Sequence, residues 1–194
     1  MAKARVQHQI CVSGAAGGKT VETGHMLAFE LGAAIGKRGH QLLTGATVGL
    51  PDRAAQGTKS VGGMSVGISP ASTKLAHTKK YRLPTESYDV ILYSGLHYIG
   101  RDVLLISSSD AVIFVGGRLG TLHEFTITME EHKPCGVLLG AGGTTDEFDD
   151  VMRAAGMRDF AAHRVVFDTN PLRLLQAIER MLHGERVETL QAPN

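Results

Sequence analysis

Residues 111–115 read Ala-Val-Ile-Phe-Val, an unbroken apolar run rich in β-branched types that ends at Gly116-Gly117. A strand with one wet face alternates apolar and polar residues. An unbroken run belongs to a strand covered on both faces, the situation in a parallel sheet sandwiched between helices. Thr121-Leu122-His123-Glu124 then spells Thr-x-x-Glu, the capping-box signature of a helix start. A strand, a glycine-rich turn and a helix N-terminus in that order make an anion site, because free N–H groups converge there and the helix dipole favours negative charge. Gly116, Gly117 and Gly120 let a ligand approach the backbone closely. The stretch reads as the phosphate seat of a nucleotide-like ligand.

The rest of the chain repeats the same alternation. Strands are expected over 7–13, 41–44, 64–68, 89–93, 111–115, 135–139 and 164–167. Helices are expected to Arg38 from the first glycine-rich turn, and over 51–61, 100–107, 121–132, 146–157 and 171–183. In the first helix Leu27, Leu31, Ala34 and Ile35 form one apolar stripe, and in the last Leu174, Leu175, Ile178, Met181 and Leu182 do the same. This is the pattern of an α/β protein: a doubly wound, mostly parallel Rossmann-like sheet of about seven strands with helices on both faces. Residues 1–183 are expected to form one domain and 184–194 a loose tail. Between 69 and 87 the pattern lapses into a long loop with a short basic run, Lys79, Lys80 and Arg82. It reads equally as a substrate-covering loop or a solvated one.

Turns after the first, second and fifth strands are all glycine-rich, and in a parallel sheet they share one carboxyl edge, where such folds bind ligands. The first, Ser13 to Thr20, falls one residue short of a Walker A loop, since Ser13 stands where its first glycine belongs. Neither strand 89–93 nor strand 111–115 ends in the acid that would hold a magnesium ion, so an NTPase is not expected. With a formal net charge of +1 the chain lacks the field of a nucleic-acid binder. Its longest apolar runs fall far short of a membrane span, and the expected compartment is the cytoplasm. Cys11 and Cys135 lie inside strands and read as buried thiols rather than a disulfide. The histidines show no metal-ligand spacing, and neither metal nor resident cofactor is expected.

Gly116 to Glu124 resembles the PGGxGTxxE motif of the LONELY GUY (LOG) family, in register through Gly117, Gly120, Thr121 and Glu124. Arg101 is similar to the arginine of that family's MHxRK motif, and Thr44 to Leu50 to its glycine-rich turn after strand two. The likeness spans roughly residues 8 to 140. It implies a Rossmann-like, usually dimeric or larger homo-oligomeric nucleotide-binding protein, and many such proteins cleave the N-glycosidic bond of adenine-type nucleoside monophosphates. Gly116 in place of proline, Arg118 in place of glycine, and Tyr98-Ile99-Gly100-Arg101-Asp102 keeping only the arginine of MHxRK look more like the wider superfamily. That superfamily includes molybdenum-cofactor carriers and ligand sensors. A lysine decarboxylase, a label sometimes attached to the family, is not expected.

Cleaving an N-glycosidic bond passes through an oxocarbenium-like state that needs a nearby carboxylate and an activated water. Glu124 is the candidate, its other reading being the cap of its own helix. Arg101 would clamp a phosphate or ribose hydroxyl. Ser13, Gly14, Gly45, Ala46, Thr47, Gly116, Gly117, Arg118, Gly120 and Thr121 would hold the nucleotide. His97 and His123 flank the motifs, as proton carriers or as packing residues. The leading expectation is a nucleoside 5′-monophosphate phosphoribohydrolase; the alternative is a non-catalytic nucleotide or pterin carrier or sensor. In either case the partner is a small molecule, not nucleic acid or membrane.

Overall fold

The computed structural model describes residues 7–160 and 162–184. The tail expected over 184–194 therefore lies, past Gly184, outside the described residues. Seven strands form one sheet: β1 (Gln9–Gly14), β2 (Gln41–Thr44), β3 (Ser65–Ser69), β4 (Val90–Tyr93), β5 (Ala111–Val115), β6 (Cys135–Leu138) and β7 (Val165–Asp168). Their order is β4-β3-β2-β1-β5-β6-β7, and every neighbouring pair is parallel. The chain winds outward from β1 to β4, crosses back, and winds outward again from β5.

The helices are α1 (Lys19–Lys37), α2 (Leu50–Ser60), α3 (His97–Ser107), α4 (Leu119–Glu130), α5 (Phe148–Ala154) and α6 (Pro171–Leu182). Every residue of β5 is buried, as its composition requires. Ala111, Ile113 and Val115 face the core under α1, α2 and α6. Val112 and Phe114 face a second core under α3, α4 and α5. In that second core Phe125 and Phe148 stack at 3.9 Å between centroids, and Phe114 meets both edge-on. The cluster fastens α4, which carries Glu124, to the central strand. On the other side α1 and α2 touch backbone to backbone. Gly32 faces the Ala54 carbonyl, Gly57 faces the Phe29 carbonyl, and Thr58 Oγ1 donates to the Gly32 carbonyl at 2.9 Å.

Three local expectations change. α4 begins at Leu119, two residues before Thr121. Arg118 is the N-cap, and its N–H donates to Thr121 Oγ1 at 3.4 Å. Thr121 thus caps from inside the first turn, and Glu124 takes no part in the cap. α3 begins at His97, whose left-handed backbone (φ 56°) turns the chain into the helix. The segment 69–87 is folded, with a π-helical turn at Ala76–Lys80. Its centre is the fully buried His77, with Nδ1 on Ser69 Oγ and Nε2 on the Pro84 carbonyl, both at 2.8 Å. Both cysteines are buried and unbridged, and burial raises both thiols far above their ordinary range. Among the described residues no helix is long and apolar enough to cross a membrane.

Candidate functional site

The strand order reverses between β1 and β5, so the turns leaving those strands diverge to opposite faces and leave a crevice at the carboxyl edge. The turn after β2 closes one side of it. Leu50 N–H donates to the Ala15 carbonyl at 2.9 Å, which ties the second turn to the first. The resulting cleft has a volume of about 710 Å³. Nine of the twelve expected site residues line it: Ser13, Gly14, Gly45, Thr47, Arg101, Arg118, Gly120, Thr121 and Glu124. Ala46, Gly116 and Gly117 do not. Ala46 packs against Gly67, Gly116 against Thr20, and Gly117 against Thr121 and Thr144. These three shape the turns from behind.

Two helix N-termini open onto the cleft. At α1, Gly18 is the N-cap with φ 85°, and the N–H groups of Ala16, Gly17 and Gly18 have no acceptor among the described residues. At α4, the first-turn N–H groups of Leu119, Gly120 and Thr121 have no carbonyl to reach within the helix. Lys19 and Arg118, both exposed, pair with no carboxylate among the described residues. Converging unpaired N–H groups, two dipole ends and two free cations favour a phosphate. The P-loop geometry is absent: Ser13 turns its hydroxyl onto Glu124, and Thr20 packs its methyl against Gly116 and Gly143.

The deeper wall carries charge. Arg101 and Asp102 are each 4% exposed and Glu124 is 6% exposed. Arg101 Nη1 lies 3.4 Å from Glu124 Oε1, and Nη2 lies 3.4 Å from Asp102 Oδ1. Ser13 Oγ donates to Glu124 Oε2, across 111 positions of sequence. His123 Nδ1 meets Asp102 Oδ2 at 2.9 Å, with the rest of its ring at the surface. The guanidinium rests directly on Gly45, where a Cβ would stand 1.8 Å from Nη1. Gly45 thus makes room for Arg101. Tyr98, one of the few aromatic residues near the motifs, also lines the cleft, and so does Asp102, which was not expected to. The only visible signal for Asp102 was its acid in place of the lysine of MHxRK. His97 lies outside the cleft lining, its Nδ1 2.8 Å from Tyr81 Oη. The segment 69–87 does not line the cleft either, but Tyr81 meets the Tyr98 ring edge-on at 5.7 Å.

One guanidinium faces two buried carboxylates, and Glu124 responds. Burial and the neighbouring Asp102 push its carboxyl up, Arg101 and the Ser13 hydroxyl bond pull it down, and the balance leaves it at about 7. The carboxyl therefore takes up a proton on folding, in the interval from its ordinary 4.5 up to about 7. Its contribution to stability is greatest below that interval and is lost as pH rises through about 7, a difference of about 3 kcal/mol. Denaturant midpoints measured from about pH 5 to about pH 8 should fall over this range, and Glu124→Gln should flatten the slope. An equal slope in the variant would place the titration elsewhere. Despite partial burial, hydrogen bonds from Arg173 hold Asp168 below its ordinary 3.8, so its contribution disappears only in more acidic solution, outside this interval.

A parallel, doubly wound sheet whose strand order reverses between β1 and β5 is a Rossmann-like fold. Within that class the chain belongs to the SLOG cluster4 family, whose model matches residues 7–168. It is 34% identical over 125 residues to an uncharacterized protein of Archaeoglobus fulgidus, covering 64% of this chain and 76% of that one. It is similar to the molybdenum cofactor binding protein of the phototrophic bacterium Rippkaea orientalis, at 26% identity and a TM-score of 0.70, over 92% of this chain and 99% of that one. It is also similar to the Moco carrier protein of Chlamydomonas reinhardtii, at 25% identity and a TM-score of 0.70, over 93% and 100%.

Proposed function

We propose that this protein binds a phosphorylated heterocycle of the pterin type and carries it, as a molybdenum-cofactor carrier or binding protein would. One observation carries the reading. Arg101, Asp102 and Glu124 are engaged with one another, while the donors left without partners among the described residues are those suited to a phosphate. The likeness to two proteins described as binding or carrying molybdenum cofactor supports the same reading. Its expected signature is calorimetric binding of a pterin monophosphate and of nucleoside monophosphates, weakened at least about tenfold when the phosphate is removed. No free base should appear on chromatography.

Hydrolysis of a nucleoside 5′-monophosphate is the second reading, and Glu124 is the observation that favours it. A carboxyl brought up to about 7 beside an arginine can exchange a proton near neutrality. Base release by the native protein that disappears in Glu124→Gln would establish the hydrolase and overturn the carrier. The homo-oligomer implied by the family resemblance belongs to this proposal too. The exposed Leu92, Ile99 and Val103, on edge strand β4 and helix α3, offer apolar surface for it.

A further inference from the structure

Tyr98 and Asp102 stand one helical turn apart on α3, on the same face, and both line the cleft. Tyr98 is 47% exposed, and its ring is braced from behind by Tyr81, so it offers a flat, supported surface to a planar ring. Next to that surface lies the Asp102 carboxylate. Its oxygens meet His123 at 2.9 Å, Arg101 at 3.4 Å and the Glu124 carboxyl beside them. A carboxylate has about four acceptor positions, so capacity remains on the cleft side. One guanidinium is shared by the Asp102 and Glu124 carboxyls. The wall also holds an unmet donor: Arg101 Nε, buried, has no acceptor among the described residues.

Resting on the binding reading above, we propose that Asp102 determines specificity for a ring with a 2-amino-4-oxopyrimidine edge, the edge shared by pterins and guanine. The ring stacks on Tyr98. Its ring N–H and exocyclic amino group donate in parallel to the Asp102 carboxylate, and the adjacent carbonyl oxygen turns toward the donor side of Arg101. Adenine presents an amino group and a bare ring nitrogen at this edge. That bare nitrogen would face a carboxylate, acceptor against acceptor. Selection against the wrong edge comes from the unpaired acceptor left behind, which discriminates more strongly than an apolar contact can.

The test is calorimetric binding of GMP, IMP, XMP, AMP and a 6-substituted pterin monophosphate to the full-length protein and to Asp102→Asn. The native protein should bind GMP and the pterin at least about tenfold more tightly than IMP or AMP, since IMP lacks only the 2-amino group. Whichever of GMP and the pterin binds more tightly identifies the source of the edge. In Asp102→Asn the carboxamide supplies one donor and one acceptor, so GMP should lose its lead and XMP should match or exceed it. GMP and AMP binding within twofold of each other in the native protein would overturn this assignment alone, and that comparison needs no variant. An unchanged GMP-to-XMP ratio in a folded Asp102→Asn would overturn it as well. A loss on going to dGMP with no base preference would move Asp102 to the sugar and overturn it too. Failure of every phosphorylated ligand to bind would overturn the binding reading along with it.

Discussion

Replacing Arg101 by methionine should lower stability by about 3–5 kcal/mol, because it strips from two buried carboxyl groups the one guanidinium they share among the described residues. Methionine keeps the aliphatic reach along α3, so the loss measures charge more than volume. Asp102 would retain His123, but Glu124 would keep only the Ser13 hydroxyl. For a chain of this size the melting temperature should drop by about 10 °C. Adding Glu124→Gln to the same variant should recover a large part of the loss, since a neutral amide can still accept from Ser13 without a cation opposite. Thermal melts of the two variants decide the matter. If Arg101→Met melts like the native protein, water must reach these carboxylates and the closed wall described above is wrong.

Gly32→Ala should be the second severe change, at about 3 kcal/mol. The added Cβ would lie 1.9 Å from the Ala54 carbonyl oxygen, a backbone atom that no rotamer can move. To accommodate it α1 and α2 must separate, opening the core around Leu31, Ile35, Ala54 and Ala55. They must also break the Thr58 hydroxyl bond to the Gly32 carbonyl. The two helices begin at the first and second glycine-rich turns, so ligand affinity should fall together with stability. Gly120 is the internal control. It lies in the first turn of α4 with no atom within 4 Å of an added Cβ, and the same substitution there should leave the melting temperature unchanged or slightly raised. Equal losses at the two glycines would show that the close crossing of α1 and α2 does not govern position 32.

The two substitutions probe different levels of organisation, and they differ in how far the sequence foretold them. The apolar run 111–115 announced a strand covered on both faces, and β5 has no exposed residue. Strand positions hold to within one or two residues, because alternating apolar runs and glycine punctuation are local signals. Where a local signal had two solutions, it misled. Thr-x-x-Glu suggested a cap at Thr121, but Arg118 precedes it in extended geometry and starts the helix earlier. That choice releases Glu124 from its own helix end. The segment 69–87 looked structureless because its organising contacts, from His77 to Ser69 and Pro84, follow no helical or strand period.

For the cleft, the sequence by itself determined the alternation of strands and helices, three glycine-rich turns and the one edge they would share. Those are properties of consecutive residues, and consecutive residues dictate them. Only the tertiary structure decided that Ser13 turns its hydroxyl onto Glu124, that Gly45 leaves room for Arg101 to lie on it, and that Asp102 and His123 join the wall. Each of these pairings joins different turns or helices, at separations from 21 to 111 positions. They exist because β1 and β5 lie side by side and α3 and α4 pack on one face of the sheet. No period or spacing along the chain carries that adjacency; it is set when the two halves of the sheet close on one core.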